Sequence, residues 1–247
     1  MFSFLKKITG NSDLSNDFSF IGTDIHSHLI PGIDDGCVDM ESSIQCIERF
    51  IALGYKKIIT TPHIMADVYP NTPEIIKEGL ANLQNELNNR GISIEIEAAA
   101  EYKIDDLFVD LLEKDNLLTF GDKHILVEVS FVAAPVNMDA VLFSLLTKGY
   151  KPILAHPERY NYWAGQMAVF EKIRSMGCYL QLNLMSLSNH YGPRARKTAL
   201  ELLDKGYIDF FGTDVHRPAD LKLLEAVLHS NDLFHKISNV QSLNKNL

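Results

Sequence analysis

Histidines and carboxylates recur in this sequence at short spacings that could hold metal ions. His26 and His28 are separated by one residue, and Asp214 and His216 repeat that spacing far along the chain. Side chains two residues apart in an extended segment point to the same side, so each pair can present two ligand atoms together. Imidazole nitrogens and carboxylate oxygens suit borderline divalent ions such as Mn²⁺, Fe²⁺ or Zn²⁺. The two pairs therefore predict a metal site.

Further residues of the same types follow short apolar segments elsewhere in the chain. In chain order they are Asp34, Asp35, His63, Glu101, Glu128 and His156. Carboxylates brought close together could not all stay ionised without compensating cations, so their number favours more than one ion. The chemistry alone leaves open whether Asp34 or Asp35 is a ligand. Asp24 could orient one of the first two imidazoles, as metal-bound histidines commonly require.

A repeated pattern of helix, glycine and strand positions these residues. Amphipathic segments end in a glycine, which adopts positive φ readily just past a helix, and a short apolar strand follows. The clearest helix runs from Thr72, a typical N-cap, to Arg90. Further helices are predicted near 40–53, 137–148, 164–176, 193–205 and 218–229. Strands are predicted at 22–28, 56–61, 92–100, 124–130, 151–155, 178–184 and 208–214.

Strands that alternate with helices, several of them continuous apolar runs, predict a parallel sheet covered by helices. No Gly-x-Gly-x-x-Gly or P-loop motif occurs in the sequence, which disfavours a nucleotide-binding doubly wound fold. The ligand-type residues fall at the carboxyl ends of the strands, which form the functional face of a β/α barrel. We therefore expect an α/β barrel with its metal site at those ends.

Composition excludes several other classes of protein. The chain has 247 residues, 46% of them hydrophobic, and no low-complexity linker divides it. Its formal net charge of −9 disfavours nucleic-acid binding, and no apolar run reaches the roughly 18 residues that a membrane span needs. The three cysteines form no Cys-x-x-Cys pair, which fits a reducing cytoplasm. Residues 1–20 are predicted to be an N-terminal arm, either frayed or weakly bound to a surface through its apolar residues and lysines.

The segments that carry these residues resemble those of a known family. The motifs are DIHSHLIPGIDDG, TTPH, AAEY, ILVEVS, AHPERY and TDVH. Together they resemble the PHP (polymerase and histidinol phosphatase) superfamily over about residues 21–235. Within it, they are most similar to the bacterial PHP-type protein-tyrosine phosphatases of capsule and exopolysaccharide operons, the CpsB/YwqE group. The resemblance implies a distorted (β/α)7 barrel of the PHP type, formed by a phosphatase domain over 21–247.

The resemblance also implies which residues form the site. The expected metal ligands are His26, His28, Asp35, His63, Glu101, Glu128, His156, Asp214 and His216. They would hold two to three divalent ions, with Mn²⁺ expected first and Fe²⁺ or Zn²⁺ as alternatives. Arg159 is expected to bind phosphate, and Arg159, Asp214 and His216 are expected to act directly in catalysis. The sequence departs from the group in lacking a later arginine, for which only Arg217 is available.

The activity that the resemblance implies is hydrolysis of phosphotyrosine by a metal-activated water, without a covalent phosphoenzyme. The implied substrate is a phosphotyrosine protein, the tyrosine-rich tail of a bacterial tyrosine autokinase that controls capsule or exopolysaccharide synthesis. The implied location is cytoplasmic, including peripheral attachment to the inner membrane through that kinase. Rival interpretations are a phosphatase of a small metabolite such as histidinol phosphate and a non-catalytic metal-binding regulatory module. An amidohydrolase is disfavoured because Glu128 stands where that class usually has a lysine.

Other reactive or aromatic residues have simpler interpretations. No arginine follows a cysteine at the spacing that cysteine-dependent phosphatases require, so the cysteines are expected to be bystanders. Four histidines outside the strand ends are expected to lie on the surface or in helices: His124, His190, His229 and His235. Five aromatic residues could form a rim around a phosphotyrosine ring or simply pack under loops: Tyr69, Phe131, Tyr160, Tyr162 and Trp163.

Overall fold

The computed structural model describes residues 16–247 as alternating strands and helices. Its strands are β1 (Thr23–Asp24), β2 (Lys57–Thr60), β3 (His63–Ile64), β4 (Glu95–Ala98), β5 (Glu101–Lys103), β6 (His124–Glu128), β7 (Lys151–Ala155), β8 (Tyr179–Asn183) and β9 (Phe210–Gly212). Its α-helices are α1 (Met40–Ala52), α2 (Pro73–Arg90), α3 (Asp106–Glu113), α4 (Met138–Thr147), α5 (Met167–Ser175), α6 (Gly192–Asp204), α7 (Leu221–His229) and α8 (Asn231–Ser238).

The strands form two wholly parallel sheets within the described residues. One has the order β1-β2-β4 and the other the order β3-β5-β6-β7-β8-β9. The ladder continues between them on one side, where the Glu101 amide donates to the Pro62 carbonyl at 3.1 Å. On the other side the Asp214 amide donates to the carbonyl of His26, and the His28 amide donates to that of Val215. The two sheets therefore join at both sides, as in a distorted barrel.

Two apolar layers hold the strands in place. Side chains that point inward from the strands form a small buried cluster that includes Ile25, Ile59, Leu126 and Ile153. Side chains that point outward form a larger cluster against the helices. Burial on both faces explains why the strands read as continuous apolar runs, since fully burying one leucine or isoleucine contributes roughly 2 kcal/mol. His124 was predicted to lie on the surface or in a helix. That prediction is wrong, because His124 is only 8% exposed and lies in β6.

The helix α2 shows how local sequence sets the element boundaries. The Thr72 hydroxyl accepts a hydrogen bond from the Ile75 amide, and Pro73 occupies the first turn, where its missing N–H costs nothing. Gly91 ends the helix with φ of 69°. Four other glycines that follow amphipathic segments, as the repeated pattern predicts, also have positive φ: Gly54, Gly149, Gly177 and Gly206. The sequence pattern therefore located these helix ends correctly.

Some elements differ from the prediction. The helix α3, which the periodicity analysis missed, begins where the Asp105 side chain accepts from the Phe108 amide. The helix α8 was also missed, and its N-cap is Ser230. The predicted first strand, 22–28, is regular only over Thr23–Asp24 and then continues through a single bridge from Ser27 to Val215. These segments are short, so a periodic pattern has few residues in which to show itself.

The predicted N-terminal arm lies mostly outside the described residues, which begin at residue 16. Within the remainder, Phe18 is fully buried and packs on Tyr55 at 5.5 Å between ring centroids. The Phe20 ring meets Phe234 edge-on at 5.5 Å. Packing of the domain therefore begins at least as early as Phe18. None of the helices in the described part of the chain is both long and apolar enough to cross a membrane.

Candidate metal centre

The predicted ligands converge at the carboxyl ends of the parallel strands. They form four overlapping groups, and within each group one ligand atom from every residue lies within 4.8 Å of the others. The groups are His28, Asp35, His63 and His216; His26, His28 and Asp214; His26, Glu101 and His156; and His63, Glu101 and Glu128. Because the groups share members, all nine side chains form one continuous cluster.

Glu101 lies at the middle of this cluster. Its Oε2 atom is 3.1 Å from His26 Nε2 and 3.1 Å from His63 Nδ1. Its Oε1 atom is 2.9 Å from His156 Nε2. Two atoms that each lie about 2.1 Å from one ion are themselves about 3.0 to 3.4 Å apart in octahedral or tetrahedral sites. The spacings around Glu101 therefore match those between ligands of a common ion.

Buried nitrogen and oxygen atoms without a hydrogen-bond partner also indicate that the cluster binds divalent ions. His26 Nε2, His28 Nε2 and Glu101 Oε2 are buried and make no hydrogen bond within the described chain. His63 Nδ1 is also buried and makes no hydrogen bond there. Buried polar atoms without a partner are costly, and these four all face the cluster, so bound cations would satisfy them. Mixed imidazole and carboxylate ligands suit Mn²⁺, Fe²⁺ or Zn²⁺.

The pKa values of the side chains in the cluster also indicate a need for bound cations. Burial raises the pKa of Glu101, but the charges on His26 and His63 outweigh burial and hold that pKa well below its usual range. Burial and the nearby charge of Glu101 raise the pKa of Glu128 well above its usual range. Burial, followed by the charge of Arg159, lowers the pKa of His156 to about 4. The carboxylates of the cluster can thus ionise together only with compensating positive charge.

A second layer of hydrogen bonds orients the first two histidines. His26 Nδ1 lies 2.9 Å from the Gln181 side-chain oxygen, and His28 Nδ1 lies 2.8 Å from Asp34 Oδ2. Both rings are thereby turned so that Nε2 faces the cluster. Asp24 does not take the predicted orienting role, because its Oδ1 accepts from the Thr213 amide instead.

The adjacent aspartates have different surroundings. Asp34 is enclosed by its bond to His28 and by the amides of His63 and Gly36, both 3.0 Å away. Asp35 reaches into the cluster, where its Oδ1 lies 3.5 Å from Nε2 of His63 and 3.5 Å from Nε2 of His216. The geometry therefore brings Asp35 into the cluster with His63 and His216 and leaves Asp34 bonded to His28.

Sequence reasoning missed three residues that position the cluster. Gln181 and Asn183 project from β8, and the Asn183 side-chain amide donates to Asp214 Oδ2 at 2.9 Å. The Tyr191 hydroxyl lies 3.3 Å from the same oxygen. The alternation Gln-Leu-Asn-Leu in a buried strand was the available signal, since buried amides require specific partners.

Two proposed ligands have unusual backbone conformations. His156 has φ of 34° and Asp214 has φ of 56°, a region that residues other than glycine rarely adopt. Each such residue costs of order 1 to 3 kcal/mol and is found most often at functional sites. The left-handed turns let the chain leave β7 and β9 while both side chains stay directed at the cluster.

Arg159, which is expected to bind phosphate, and Arg217, the arginine available in place of the missing later one, differ in position. Arg159 Nη1 donates to Asp214 Oδ2 at 2.6 Å, and its guanidinium lies 4.8 Å from the Phe131 ring and 4.1 Å from the Tyr191 ring. Arg217 is 71% exposed and pairs with Asp220 at 3.3 Å. Only Arg159 therefore faces the cluster, although it forms an ion pair there with a proposed ligand.

The cluster opens into a cavity of about 360 Å³. Tyr69 and Phe131 line the cavity, stacking on His63 and His156 with centroid distances of 5.7 and 5.6 Å. The other three aromatic residues of the predicted rim do not line it: Tyr160, Tyr162 and Trp163. Tyr160 is 1% exposed. The rim is therefore limited to two residues, and the others pack beneath the loops.

The cysteines lie away from this cavity. Cys37 and Cys46 are both buried, with their sulfur atoms 3.8 Å apart, and Cys178 is buried near the start of β8. None of them lines the cavity formed by the described residues. This position agrees with the expectation that they are bystanders.

Comparison with known proteins gives a consistent result. The chain is 30% identical over 194 residues to the tyrosine-protein phosphatase YwqE of Bacillus subtilis, covering 78% of this chain and 76% of YwqE. It also matches a structure from work on YwqE and Streptococcus pneumoniae CpsB, described as unique metal-dependent tyrosine phosphatases. That match has a TM-score of 0.75, 28% identity and coverage of 91% of this chain and 94% of the other.

A more distant structure shares the fold alone. An amidohydrolase from Mycoplasma synoviae superposes with a TM-score of 0.55 at 16% identity, covering 92% of this chain and 87% of that one. This likeness agrees with a distorted barrel. Residues 22–222 match the family model described as capsular polysaccharide synthesis, CpsB/CapC. Because that match spans most of the sequence, the chain belongs to the CpsB/CapC family.

Proposed function

We propose that this protein is a metal-dependent protein-tyrosine phosphatase. The observation that carries the proposal is the cluster of nine ligand-type side chains that opens, together with Arg159, into one cavity. A cavity with this donor set and a guanidinium is suited to a phosphate ester. The relatives named as tyrosine phosphatases support the same activity.

The nine side chains of the cluster would hold two to three divalent ions, with Mn²⁺ proposed first and Fe²⁺ or Zn²⁺ as alternatives. Ions held there would supply an activated water nucleophile and positive charge for the phosphoryl oxygens. Gln181 and Asp34 fix the rings of His26 and His28 through Nδ1. Asp214 and His216 belong to the cluster, and we assign them to catalysis because they adjoin the Arg159 guanidinium and Asp35 respectively.

Arg159 would bind the non-bridging oxygens of the phosphoryl group. Stacking on Phe131 and Tyr191 fixes the plane of its guanidinium, which lowers the entropy lost when substrate binds. Tyr69 and Phe131 would flank the phenyl ring of phosphotyrosine. A phenol with a pKa of about 10 is a fairly good leaving group, so the proposal includes no dedicated general acid.

The same proposal extends to the architecture. Because β3 continues the line of β2 and β5 continues that of β4, the strands can be counted as seven positions around one barrel. We therefore propose a distorted (β/α)7 barrel of the PHP type. Its phosphatase domain, predicted over residues 21–247, would also include Phe18 and Phe20, which pack against it.

A protein substrate is favoured over a metabolite by the surface around the cavity. Val68 and Phe131 line the cavity and are 58% and 47% exposed. Val132 and Val136, in the same loop as Phe131, are more exposed still. Exposed apolar side chains beside a cavity provide contacts for a polypeptide that a small polar metabolite could not use. We propose the tyrosine-rich tail of a bacterial tyrosine kinase as the substrate. This places the protein in the cytoplasm and, through the kinase, at the inner membrane.

The test is to compare steady-state rates on a phosphotyrosine peptide and on histidinol phosphate. Both are measured with Mn²⁺ and again after chelation. We expect a higher kcat/KM for the peptide and loss of both activities without metal. A preference for histidinol phosphate would identify a metabolite phosphatase instead. Absence of turnover on both substrates, with metal bound, would identify a non-catalytic metal-binding module.

A further inference from the structure

Lys103 is a cationic side chain at the edge of the metal centre. It ends β5 and lines the cavity, two residues after Glu101. Alternation along a strand places Glu101 and Lys103 on the same face of β5. The Cα atom of Lys103 pairs in register with that of Glu128 on β6. Lys103 therefore projects beside Glu128 and one step closer to the carboxyl end of the barrel than Glu101.

The ammonium group of Lys103 has no ionic partner in the part of the chain that the structure describes. No carboxylate oxygen of residues 16–247 lies within 4.0 Å of it. A lysine of β2 shows the contrasting arrangement, because Lys57 pairs with Glu95 at 2.9 Å and with Glu97 at 2.6 Å. A half-buried lysine that lines a cavity without a partner is available to an anionic ligand.

Among the described residues that line the cavity, the lysine is Lys103 and the arginine is Arg159. They reach it from two sides, since Lys103 ends β5, Arg159 follows β7, and Glu128 on β6 lies between those strands. Burial and the charge of Glu101 raise the pKa of Glu128, and Arg159 and Lys103 both lower it in part. Both cations are thus within electrostatic reach of the same carboxylate.

We infer that Lys103 binds a non-bridging oxygen of the substrate phosphoryl group, across Glu128 from Arg159. This inference rests on the proposed phosphatase function. Arg159 offers a planar fork that is already paired with Asp214, whereas Lys103 offers a compact charge with three free donors. A dianionic phosphate between the two would gain a contact from each side. The phosphoryl oxygens remain charged from substrate to inorganic phosphate, so Lys103 stabilises the bound substrate, the transition state and the bound product, which affects kcat/KM and phosphate inhibition alike.

A different role would be purely local. Lys103 could serve only to offset the charge of Glu128 and thereby support a metal ligand. If that were its role, removing the Lys103 charge would alter the metal content. The chains that still hold metal would bind phosphate as the wild type does. The role inferred above predicts the reverse, so the two are separable by measurement.

The experiment uses the full metal-loaded chain with Lys103→Met and Lys103→Arg. Lys205→Met is the matched control, because Lys205 is an exposed lysine at the C-terminal end of α6. We expect Lys103→Met to lower kcat/KM about tenfold or more on a phosphotyrosine peptide and on para-nitrophenyl phosphate. The inhibition constant of inorganic phosphate should rise by a similar factor, with metal content unchanged. Lys103→Arg should recover most of the kcat/KM and most of the inhibition by phosphate. Lys205→Met should match the wild type in both measurements.

Two outcomes overturn the inference. One is that Lys103→Met keeps wild-type kcat/KM and phosphate inhibition. The other is that it loses metal while the chains that retain metal bind phosphate normally. Phosphate binding is also measured by calorimetry on the metal-loaded protein. A wild-type chain that fails to hydrolyse phosphotyrosine would overturn the proposed function, and the calorimetric comparison would still test the contact to Lys103.

Discussion

The two ring nitrogens of a histidine in the centre have different neighbours, and these neighbours decide which nitrogen is free to bind a metal ion. In His26 and His28, Nδ1 is held by Gln181 and Asp34, which leaves Nε2 for the cluster. In His216, Nδ1 lies 2.9 Å from the backbone carbonyl of Asp214. A neutral imidazole that donates from Nδ1 carries a free electron pair on Nε2. In these three histidines the surrounding hydrogen bonds therefore select the tautomer that can bind metal.

Replacing Arg159 should be far more damaging than replacing Arg217. Arg159→Ala is expected to lower kcat/KM by roughly 100-fold, comparable to losing one preorganised charged donor in an active site. Arg217→Ala is expected to stay near the wild type, because Arg217 is 71% exposed and pairs with Asp220. Kinetics on a phosphotyrosine peptide, with metal content measured for each variant, make the comparison. Equal losses would show that Arg217 also reaches the substrate.

The stabilisation that metal provides should increase with pH. Burial lowers the pKa of His26, but the charges of Glu101 and Asp214 outweigh it and raise that pKa to about 9. In the metal-free chain this imidazolium contributes stability that is complete below about pH 6.5 and is lost as pH rises through 9. Metal needs the neutral ring, so its binding strengthens over the same window.

The measurement is the melting temperature with Mn²⁺ and with chelator, from pH 6.5 to 9. The difference between the two should widen as pH rises. A difference that stays constant or narrows would contradict His26 as a ligand.

Among the elements, the loop between β1 and α1 depends on a glycine for its close approach to the centre. The Cys37 amide donates to the His28 carbonyl at 3.0 Å, so the loop folds back over the strand that it follows. A Cβ atom on Gly36 would lie 2.3 Å from the His28 carbonyl oxygen and 2.5 Å from the His28 Cβ. Contacts that short cannot form without moving backbone. The loop therefore needs glycine there to carry Asp34 and Asp35 to the histidines.

Gly36→Ala should consequently weaken metal binding, by roughly tenfold or more, because residues that orient ligands typically matter by that amount. Val38→Ala is the control in the same loop, since Val38 is 80% exposed. Metal titration of both variants, after each is shown to be folded, provides the test. Wild-type affinity in Gly36→Ala would mean that the loop can shift without displacing the two aspartates.

At the scale of the whole molecule, the metal centre connects the two ends of the sheet system. His26 and His28 follow β1, whereas Asp214 follows β9, nearly two hundred residues later in the chain. The sheets meet there through backbone hydrogen bonds between the same segments. Ions bound by these side chains would therefore hold the barrel closed and compensate its buried carboxylates.

Chelation should then abolish activity and lower thermal stability together. One ion at about 100 times its Kd stabilises the folded state by about 2.7 kcal/mol, which corresponds to roughly 5 to 10 °C in a chain of this size. Calorimetry before and after metal removal, with elemental analysis of both samples, measures the effect. A melting temperature that does not change after verified removal would show that the cluster does not hold structural cations.

The sequence by itself determined the features that depend on neighbouring residues. Helix caps, the glycines that follow helices and the alternation of side chains along strands are local, so the positions of the ligand-type residues at strand ends could be predicted. The missed helix α3 has only eight residues, too few for a clear period. The chemistry of the centre also followed from the sequence, because residue type alone decides which atoms can bind a divalent ion.

Only the tertiary structure decided choices between residues with the same chemistry. Asp34 and Asp35 are both carboxylates, and their positions differ because Asp34 is enclosed by amides whereas Asp35 reaches His63 and His216. Arg159 and Lys103 became cavity residues through strands that are distant in the sequence. These distinctions depend on distances and directions between segments far apart in the chain, and a linear pattern carries no information on those distances.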